Sequence, residues 1–204
     1  MAQQDDSVQT FRGHTSGVCS LAKLSWKRSD DTFVSGSRGG KLKLWQVEKE
    51  KARRTFHGHP RSVLCVAKLT DNTFVSASWH ELRLWQVGNN DALQIFSGHT
   101  DGVYSVAKLT DNTFVSGSGD RTLKLWNTSQ TLSSRDYRVV FTLPFFRQVF
   151  PDEMLEEIYK YIALQQQAVL TLEGHTNRVN CVAKLTENTF VSGSDDNTLK
   201  LWVV

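Results

Sequence analysis

Short runs of alternating apolar and polar residues, separated by turn-forming residues, make up most of this chain. In one stretch Val103–Val106 alternates, Thr110–Asn112 supplies turn residues, and Thr113–Val115 is β-branched and aromatic. A second turn at Gly117–Arg121 leads into Thr122–Trp126, which alternates again. Period-two alternation of such residues is typical of strands, and clustered Gly, Asn and Asp are typical of turns. The pattern predicts three short strands in this stretch.

The same stretch occurs four times along the chain. Each copy begins at a Gly-His pair and ends at a Leu-Trp pair, with the histidines at His14, His59, His99 and His175 and the tryptophans at Trp45, Trp85, Trp126 and Trp202. A fourth short strand is predicted before each Gly-His pair, at Val8–Phe11, Arg54–Phe56, Leu93–Phe96 and Val169–Leu172. A spacing of 40 residues from His59 to His99 indicates one supersecondary unit per repeat. Four antiparallel strands per repeat predict the blade of a β-propeller.

These Gly-His, Ser, Asp and Trp positions, at fixed offsets in several copies, resemble the WD-repeat β-propeller family. The resemblance implies a side-chain network that runs from the loop His through a strand Ser to the Trp, with an Asp in the tight turn holding the His. Carried over to this sequence, the network comprises His99, Ser116, Asp120 and Trp126 in the third copy and His175, Ser192, Asp196 and Trp202 in the fourth. A buried imidazole needs partners for both nitrogens, because an unsatisfied one costs about 1–3 kcal/mol.

The first two copies depart from this pattern. Gly39 stands at the expected Asp position of the first copy, and the second copy is one residue shorter near His80. We expect these two blades to be less rigid.

The predicted fold is an all-β propeller of four-stranded antiparallel blades, with four WD-type repeats and a partly helical insert. Repeats one to three occupy residues 1–126, the insert 127–168, and repeat four 169–204. The resemblance implies that each strand before a Gly-His pair belongs to the preceding blade, so the N-terminal strand can complete the last blade. Such closure removes exposed strand edges. Three arrangements remain open: a closed four-blade ring, a homodimer that completes an eight-blade ring, and an open arc.

The insert differs in composition, and a helix is predicted near 151–167. Its apolar positions Leu155, Ile158 and Ile162 recur at helical spacing. This face either packs on the propeller or binds a partner. Residues 150–162 also resemble the first helix of an F-box, which implies an alternative function as a ubiquitin-ligase adaptor.

Charge and composition exclude several classes of function. The chain has 24 Lys and Arg against 21 Asp and Glu, a net charge of +3, which is too mild to indicate nucleic acid or a membrane surface. It has no apolar run of about 18 residues, its first residues do not resemble a secretory signal, and its 3 cysteines do not suggest a disulfide framework, so a cytoplasmic location is expected.

Motifs for catalysis are absent from the sequence. It has no glycine-rich phosphate loop, no HExxH and no GxSxG, and its cysteines are too far apart to suggest a metal site. We therefore predict no enzyme activity, no cofactor and no metal; a propeller enzyme with its site at the central channel is the less favoured alternative.

Copies that agree nearly everywhere differ at positions that a propeller would place on one rim. The candidate partner-binding residues there are Arg38, Leu64, Trp79, Tyr104 and Arg178. Aromatic and Arg side chains are the types that anchor interfaces, although exposed turns of duplicated copies also drift fastest. The predicted function is a protein-interaction scaffold that binds a protein or peptide at this rim.

Overall fold

The computed structural model describes residues 9–24, 31–47, 49–129 and 165–204, and these ranges contain strands and turns but no helix. The strands in chain order are β1 (Val18–Leu24), β2 (Thr32–Ser37), β3 (Lys41–Gln46), β4 (Arg54–His57), β5 (Cys65–Lys68), β6 (Thr73–Ala77), β7 (Glu81–Gln86), β8 (Gln94–Ser97), β9 (Val103–Lys108), β10 (Thr113–Ser118), β11 (Leu123–Asn127), β12 (Gln165–Gln167), β13 (Leu170–Leu172), β14 (Val179–Lys184), β15 (Thr189–Ser194) and β16 (Leu199–Val203).

The strands form four sheets, one for each repeat. Blade one is β1-β2-β3-β4, blade two is β5-β6-β7-β8, blade three is β9-β10-β11-β13, and blade four is β14-β15-β16. Neighbouring strands within each blade pair antiparallel. The prediction of an all-β propeller with antiparallel blades is confirmed.

The fourth strand of a blade also contributes to the next blade. Phe56 of β4 pairs with Leu42 of β3, yet its ring centroid lies 5.3 Å from that of Phe74 and 5.6 Å from that of Trp85 in blade two. Aromatic contacts of this kind add to the stabilisation from burial. The fourth strand therefore joins two blades, one by backbone hydrogen bonds and the other by side-chain packing.

The innermost strands β1, β5, β9 and β14 follow one another in this order. The amide of Val66 donates to the hydroxyl of Ser20 in the preceding blade at 3.0 Å, and Val182 donates to Ser105 at 3.0 Å. Each of the three apolar clusters spans two neighbouring blades. The core is thus a series of layers between blades, and each layer needs both of its blades.

The two ends of the chain do not meet in a shared blade within the described residues. Blade four has three strands there, while residues 9–11 are not part of a strand and Phe11 packs on Trp45 of blade one. Val8 lies outside the described residues, so closure of blade four by the N-terminal strand stays a prediction.

Most of the insert, residues 130–164, lies outside the described residues, including Leu155, Ile158, Ile162 and the F-box-like segment. Where the description resumes, Gln165–Gln167 form β12, which pairs parallel with β8 at the outer edge of blade two. These three residues are therefore strand, and not the end of a helix.

Truncating the ring that joins blades two and three should destabilise the chain strongly. Phe96 is buried, and its ring lies 5.1 Å from Phe114 and 5.6 Å from Trp126, so we expect Phe96→Ala to lower the free energy of unfolding by about 3–5 kcal/mol. The neighbouring variant Ile95→Ala, at a half-buried position, should cost less. Urea unfolding measures both, and equal losses would contradict this packing.

Candidate functional site

The third blade contains a complete hydrogen-bonded network around a buried serine. Ser116 Oγ lies 2.7 Å from His99 Nε2 and accepts a hydrogen bond from Trp126 Nε1 at 2.8 Å. His99 Nδ1 lies 2.7 Å from Asp120 Oδ2. An ionised carboxylate only accepts, so Nδ1 donates to Asp120. In the neutral imidazole Nε2 then accepts the hydrogen bond that the serine hydroxyl donates. Every polar group in this chain of contacts then has a partner of the opposite kind.

The fourth blade repeats this network. His175 lies 2.7 Å from both Ser192 Oγ and Asp196 Oδ2, and Trp202 Nε1 donates to Ser192 at 2.7 Å. The turn after the aspartate has a positive φ at Asn197, of 66°. The structure therefore brings together the four residues carried over for this copy, as it does those of the third.

The aspartate of the third blade is surrounded by donors. It accepts from the Thr100 amide at 3.0 Å and from the Thr122 hydroxyl at 2.7 Å, in addition to His99. Burial alone would raise the pKa of Asp120, but the hydrogen bonds from His99 and Thr122 hold this pKa well below its usual range. Asp120 is thus held as a carboxylate that fixes the imidazole.

The second blade completes its network with a residue that the spacing did not indicate. Glu81 Oε1 lies 3.2 Å from His59 Nδ1, while His59 Nε2 contacts Ser76 at 2.5 Å. Glu81 also accepts from Arg83 at 2.8 Å. Because its side chain is longer, the glutamate reaches the imidazole from a turn that is one residue shorter. It therefore takes the role that the aspartate has in blades three and four.

The first blade lacks the acceptor. His14 Nε2 lies 2.6 Å from Ser35 Oγ, and Trp45 Nε1 donates to the same oxygen at 2.7 Å. Nδ1 of His14 is buried and has no hydrogen-bond partner among the described residues, because Gly39 has no side chain to offer.

The Asp, His and Ser of a blade have the composition of a catalytic triad but not its accessibility. Ser116 is completely buried, and its oxygen already accepts the indole hydrogen of Trp126. A nucleophile must reach the substrate with its oxygen free to attack. The network therefore holds the blade together and offers no site for acyl transfer.

On the rim, the turn between the second and third strands of blade two presents an exposed indole. Trp79 is 40% exposed, and the guanidinium carbon of Arg61 lies 5.5 Å from its ring centroid. A cleft of about 300 Å³ lies beside this ring and reaches Gly98 at the start of blade three. Arg61 was not predicted from the sequence; its position just before the first strand of the blade was the available signal.

A second pair on the rim joins blades three and four. The guanidinium carbon of Arg178 lies 4.9 Å from the ring centroid of Tyr104, and Arg178 Nη2 lies 2.9 Å from Asp195 Oδ2. Asn180 donates to the other oxygen of Asp195, and these two partners lower the pKa of that carboxyl. Tyr104 and Arg178, named separately from the sequence, are thus in direct contact.

The remaining two rim residues stand apart from these pairs. Arg38 has an exposed side chain, while its backbone is held by a 2.8 Å bond to the Gly17 carbonyl and by the Ser62 hydroxyl at 2.9 Å. Leu64 is half-buried, and its amide donates to the Ala77 carbonyl at 2.9 Å. At both of these rim positions the backbone is held by hydrogen bonds, while one side chain is exposed and the other is half-buried.

Comparison with known families agrees with this geometry. The family model described as WD domain, G-beta repeat matches residues 5–46, 50–86, 90–127 and 166–203, which is more than half of the chain. The chain belongs to the WD-repeat family. Each matched segment ends close to the Trp of one network, so the four blades are four WD repeats.

Three curated relatives illustrate the range of proteins that this WD-repeat chain resembles. It is 37% identical to guanine nucleotide-binding protein subunit beta-5b of Danio rerio, over 89% of the chain and 50% of the relative. It is 29% identical to human pre-mRNA-processing factor 17, over 96% and 28%, and 28% identical to cell division cycle 20.1, cofactor of APC complex, of Arabidopsis thaliana, over 97% and 38%. The chain thus spans half or less of the length of these relatives.

Solved structures show the same fold. The computationally designed Ika4 protein superposes with a TM-score of 0.67 at 24% identity, over 96% of both chains. The designed Ika8 protein also gives 0.67 at 24% identity, over 95% of this chain and 48% of the other.

Among the described residues, no group of three or more His, Cys, Asp or Glu side chains is placed to hold a metal ion. The same part of the chain contains no helix of the length and apolarity needed to cross a membrane.

Supplying the missing carboxylate should stabilise blade one. In Gly39→Asp the new side chain can accept from the buried Nδ1 of His14, so we expect a gain of about 1 kcal/mol in the free energy of unfolding. The added Cβ would lie 3.3 Å from that of Ser16, which is exposed and can shift. Gly39→Ala is the control, since it adds the carbon without the acceptor. Urea unfolding in which both variants match the unaltered chain would contradict this role.

The stability of the chain should fall in acid because of Asp120. Its pKa is lower in the folded chain than the value of about 3.9 for an unfolded Asp, so its ionised form stabilises the fold above that pH. That contribution is lost as the pH falls below about 4. We expect Asp120→Asn to be less stable at pH 7 but to lose less stability between pH 6 and pH 3. Urea unfolding across this range measures it, and an unchanged acid dependence would contradict the role of this carboxylate.

Proposed function

We propose that this WD-repeat chain is a non-catalytic scaffold that binds a protein or peptide at the rim formed by Arg38, Leu64, Trp79, Tyr104 and Arg178. Family membership supports a protein-interaction role in general. The named relatives support it too, since one is a subunit and another a cofactor of a complex. The rim site is the finer part of the proposal.

One observation carries the rim site: two arginine–aromatic pairs are already arranged before any partner binds. Arg61 lies over Trp79 and Arg178 over Tyr104, within the range of a cation–π contact. Trp, Tyr and Arg dominate binding energy at interfaces, and side chains held in place before binding lose less entropy. A partner that presents an acidic side chain next to an apolar one would match such a pair.

The blade network explains why this rim can be fixed. In blade two, Glu81 holds the imidazole of His59 and follows the rim residue Trp79 by two positions. In blade four, Asp196 holds the imidazole of His175 and directly follows Asp195, the partner of Arg178. Hydrogen bonds inside the blade thereby position a side chain outside it. Rigid presentation, without a catalytic step, is the mechanism that we propose.

Three further expectations stay predictions. The insert helix, with its adaptor alternative, lies outside the described residues. A cytoplasmic location and a homodimer that completes a larger ring rest on the sequence alone at this point.

Rim variants test the proposed function. We expect Trp79→Ala and Arg178→Ala each to weaken binding of a rim partner at least tenfold, because each removes one half of a stacked pair. Both side chains are exposed or half-exposed, so the fold should persist by circular dichroism. Affinity capture from the source cells with quantitative mass spectrometry identifies the partners, and titration gives the affinities.

The matched control is Leu170→Arg on the outer strand β13. Blade one has Arg54 at the equivalent position, so this change is compatible with a blade. If the rim variants retain the same partners with the same affinity as the control, the rim is not the binding site.

A further inference from the structure

The first blade leaves exposed the surface that every other blade buries. Val18 is 53% exposed, whereas Val63, Val103 and Val179, at the equivalent positions of the other blades, are completely buried. Leu21 is 63% exposed, whereas its equivalents in the other blades are also buried. A groove of about 720 Å³ runs along this face, between these side chains and Phe11. This surface is the leading face of the chain.

The last blade leaves exposed the complementary surface. Leu199 is 76% exposed and Leu201 is 66% exposed. The equivalents of Leu199 in blades one to three, Leu42, Leu82 and Leu123, are completely buried. This surface is the trailing face of the chain. Equivalent apolar positions are thus buried in the interior of the series and exposed at its two ends.

The interior junctions show how a leading and a trailing face fit together. Val179 and Val182 of blade four pack directly over Gly117 of blade three, where an added Cβ would lie 2.6 Å from one and 3.0 Å from the other. At the equivalent Gly193 of blade four, an added Cβ would meet Cys181 and Leu199, both of its own blade. Gly193 therefore keeps the small-residue position of a junction, and no other blade of the described residues packs on it.

The N-terminal segment, residues 9–11, lies where the fourth strand of a preceding blade would pack on blade one. The Phe11 ring lies 5.0 Å from Phe33 and 5.6 Å from Trp45, and the corresponding distances for Phe56 in the next junction are 5.3 and 5.6 Å. Phe56 belongs to a strand that pairs with the preceding blade. Phe11 has the same packing, but the described residues contain no preceding blade for it.

Side-chain chemistry matches this segment to β16. Lys43 donates to Thr55 and Lys124 donates to Thr171, each from the third strand to the fourth strand of a blade at 2.8 Å. Lys200 is the equivalent lysine of blade four, and Thr10, three residues before Gly13, is the equivalent threonine of the N-terminal segment. If β16 paired with this segment in the equivalent register, Lys200 would meet Thr10 and the recurring Lys–Thr contact would form.

We propose that a second copy of this chain covers both end faces, so that the trailing face of each copy packs on the leading face of the other. The N-terminal segment of one copy then supplies the fourth strand of blade four in the other copy. Two four-blade chains joined head to tail give a ring of eight blades, which lies within the usual range of 4–8 blades for propellers. A two-fold ring closes both faces and leaves no unpaired end. This inference goes beyond the scaffold proposal and does not require the rim to bind a partner.

The mass of the unaltered chain in solution is the first test. Sedimentation across a range of concentrations should give a single species of twice the 23.1 kDa chain mass, which dissociates only on dilution. A monomer at every concentration would overturn the proposal, because no second copy would then cover the end faces. A series of ever larger species would overturn it too, because it would show open polymerisation and not closure.

Two exposed positions provide the second test, which identifies the faces. Val18→Lys alters the leading face and Leu199→Asp the trailing face, and each variant alone should shift dimerisation to at least tenfold higher concentration. Mixed together, the two variants should associate again. A mixed ring has one unaltered junction and one junction with opposite charges. If neither change weakens dimerisation, or if the two mixed variants do not associate, head-to-tail packing is contradicted.

The controls separate this inference from the proposed rim site. Leu170→Arg changes an exposed leucine outside both end faces and should leave the dimer intact. Trp79→Ala should affect partner capture without affecting the mass, so failure of the rim site and failure of the dimer are distinguishable. Should a charged variant lose its fold by circular dichroism, the mass of the unaltered chain still decides the proposal.

Discussion

The structure depends on one buried serine oxygen in each blade. Ser35, Ser76, Ser116 and Ser192 each accept the indole hydrogen of a tryptophan and contact the imidazole of a histidine. Loss of either contact would leave a buried polar group unsatisfied, at a cost of about 1–3 kcal/mol. Because the histidine lies in the loop that enters the blade and the tryptophan in the third strand, this oxygen fixes the distance between the two. The positions of the rim turns depend on that distance.

The repeat could be predicted because the network requires the same residue types at the same spacing in each copy. Gly-His and Leu-Trp pairs set the period, and the alternating runs between them set the strands. The acceptor in blade two could not be predicted in this way. Glu81 replaces an aspartate from a turn of different length, and whether its longer side chain reaches His59 is a matter of three-dimensional distance. The Arg61–Trp79 contact was missed for the same reason, since it joins two turns 18 positions apart.

The insert shows a second limit of sequence patterns. Gln165–Gln167 have no strand pattern of their own, yet they pair with β8, about 70 positions earlier in the chain. Such a pairing depends on an available strand edge and not on local preference. Local patterns therefore predicted the blades well, while contacts between distant segments required the structure.

The end faces illustrate that burial in a repeat protein is a property of neighbours. Val18 and Val63 are the same residue type at the same place in a blade, but one is exposed and the other is buried. Stability in such a series is approximately a sum over units and their junctions, so an end unit lacks one junction. This is why the composition of a terminal blade says little about its solvation.

Hydrogen exchange of the tryptophan side chains tests the shared serine oxygen most directly. The indole N–H groups of Trp45, Trp85, Trp126 and Trp202 each donate to a serine. In two-dimensional nitrogen–proton spectra recorded in deuterated water, these four signals should persist after the signal of the exposed Trp79 has disappeared. If the four exchange as fast as Trp79, the indoles are not held by buried serines, and the four blades are not built around a common network.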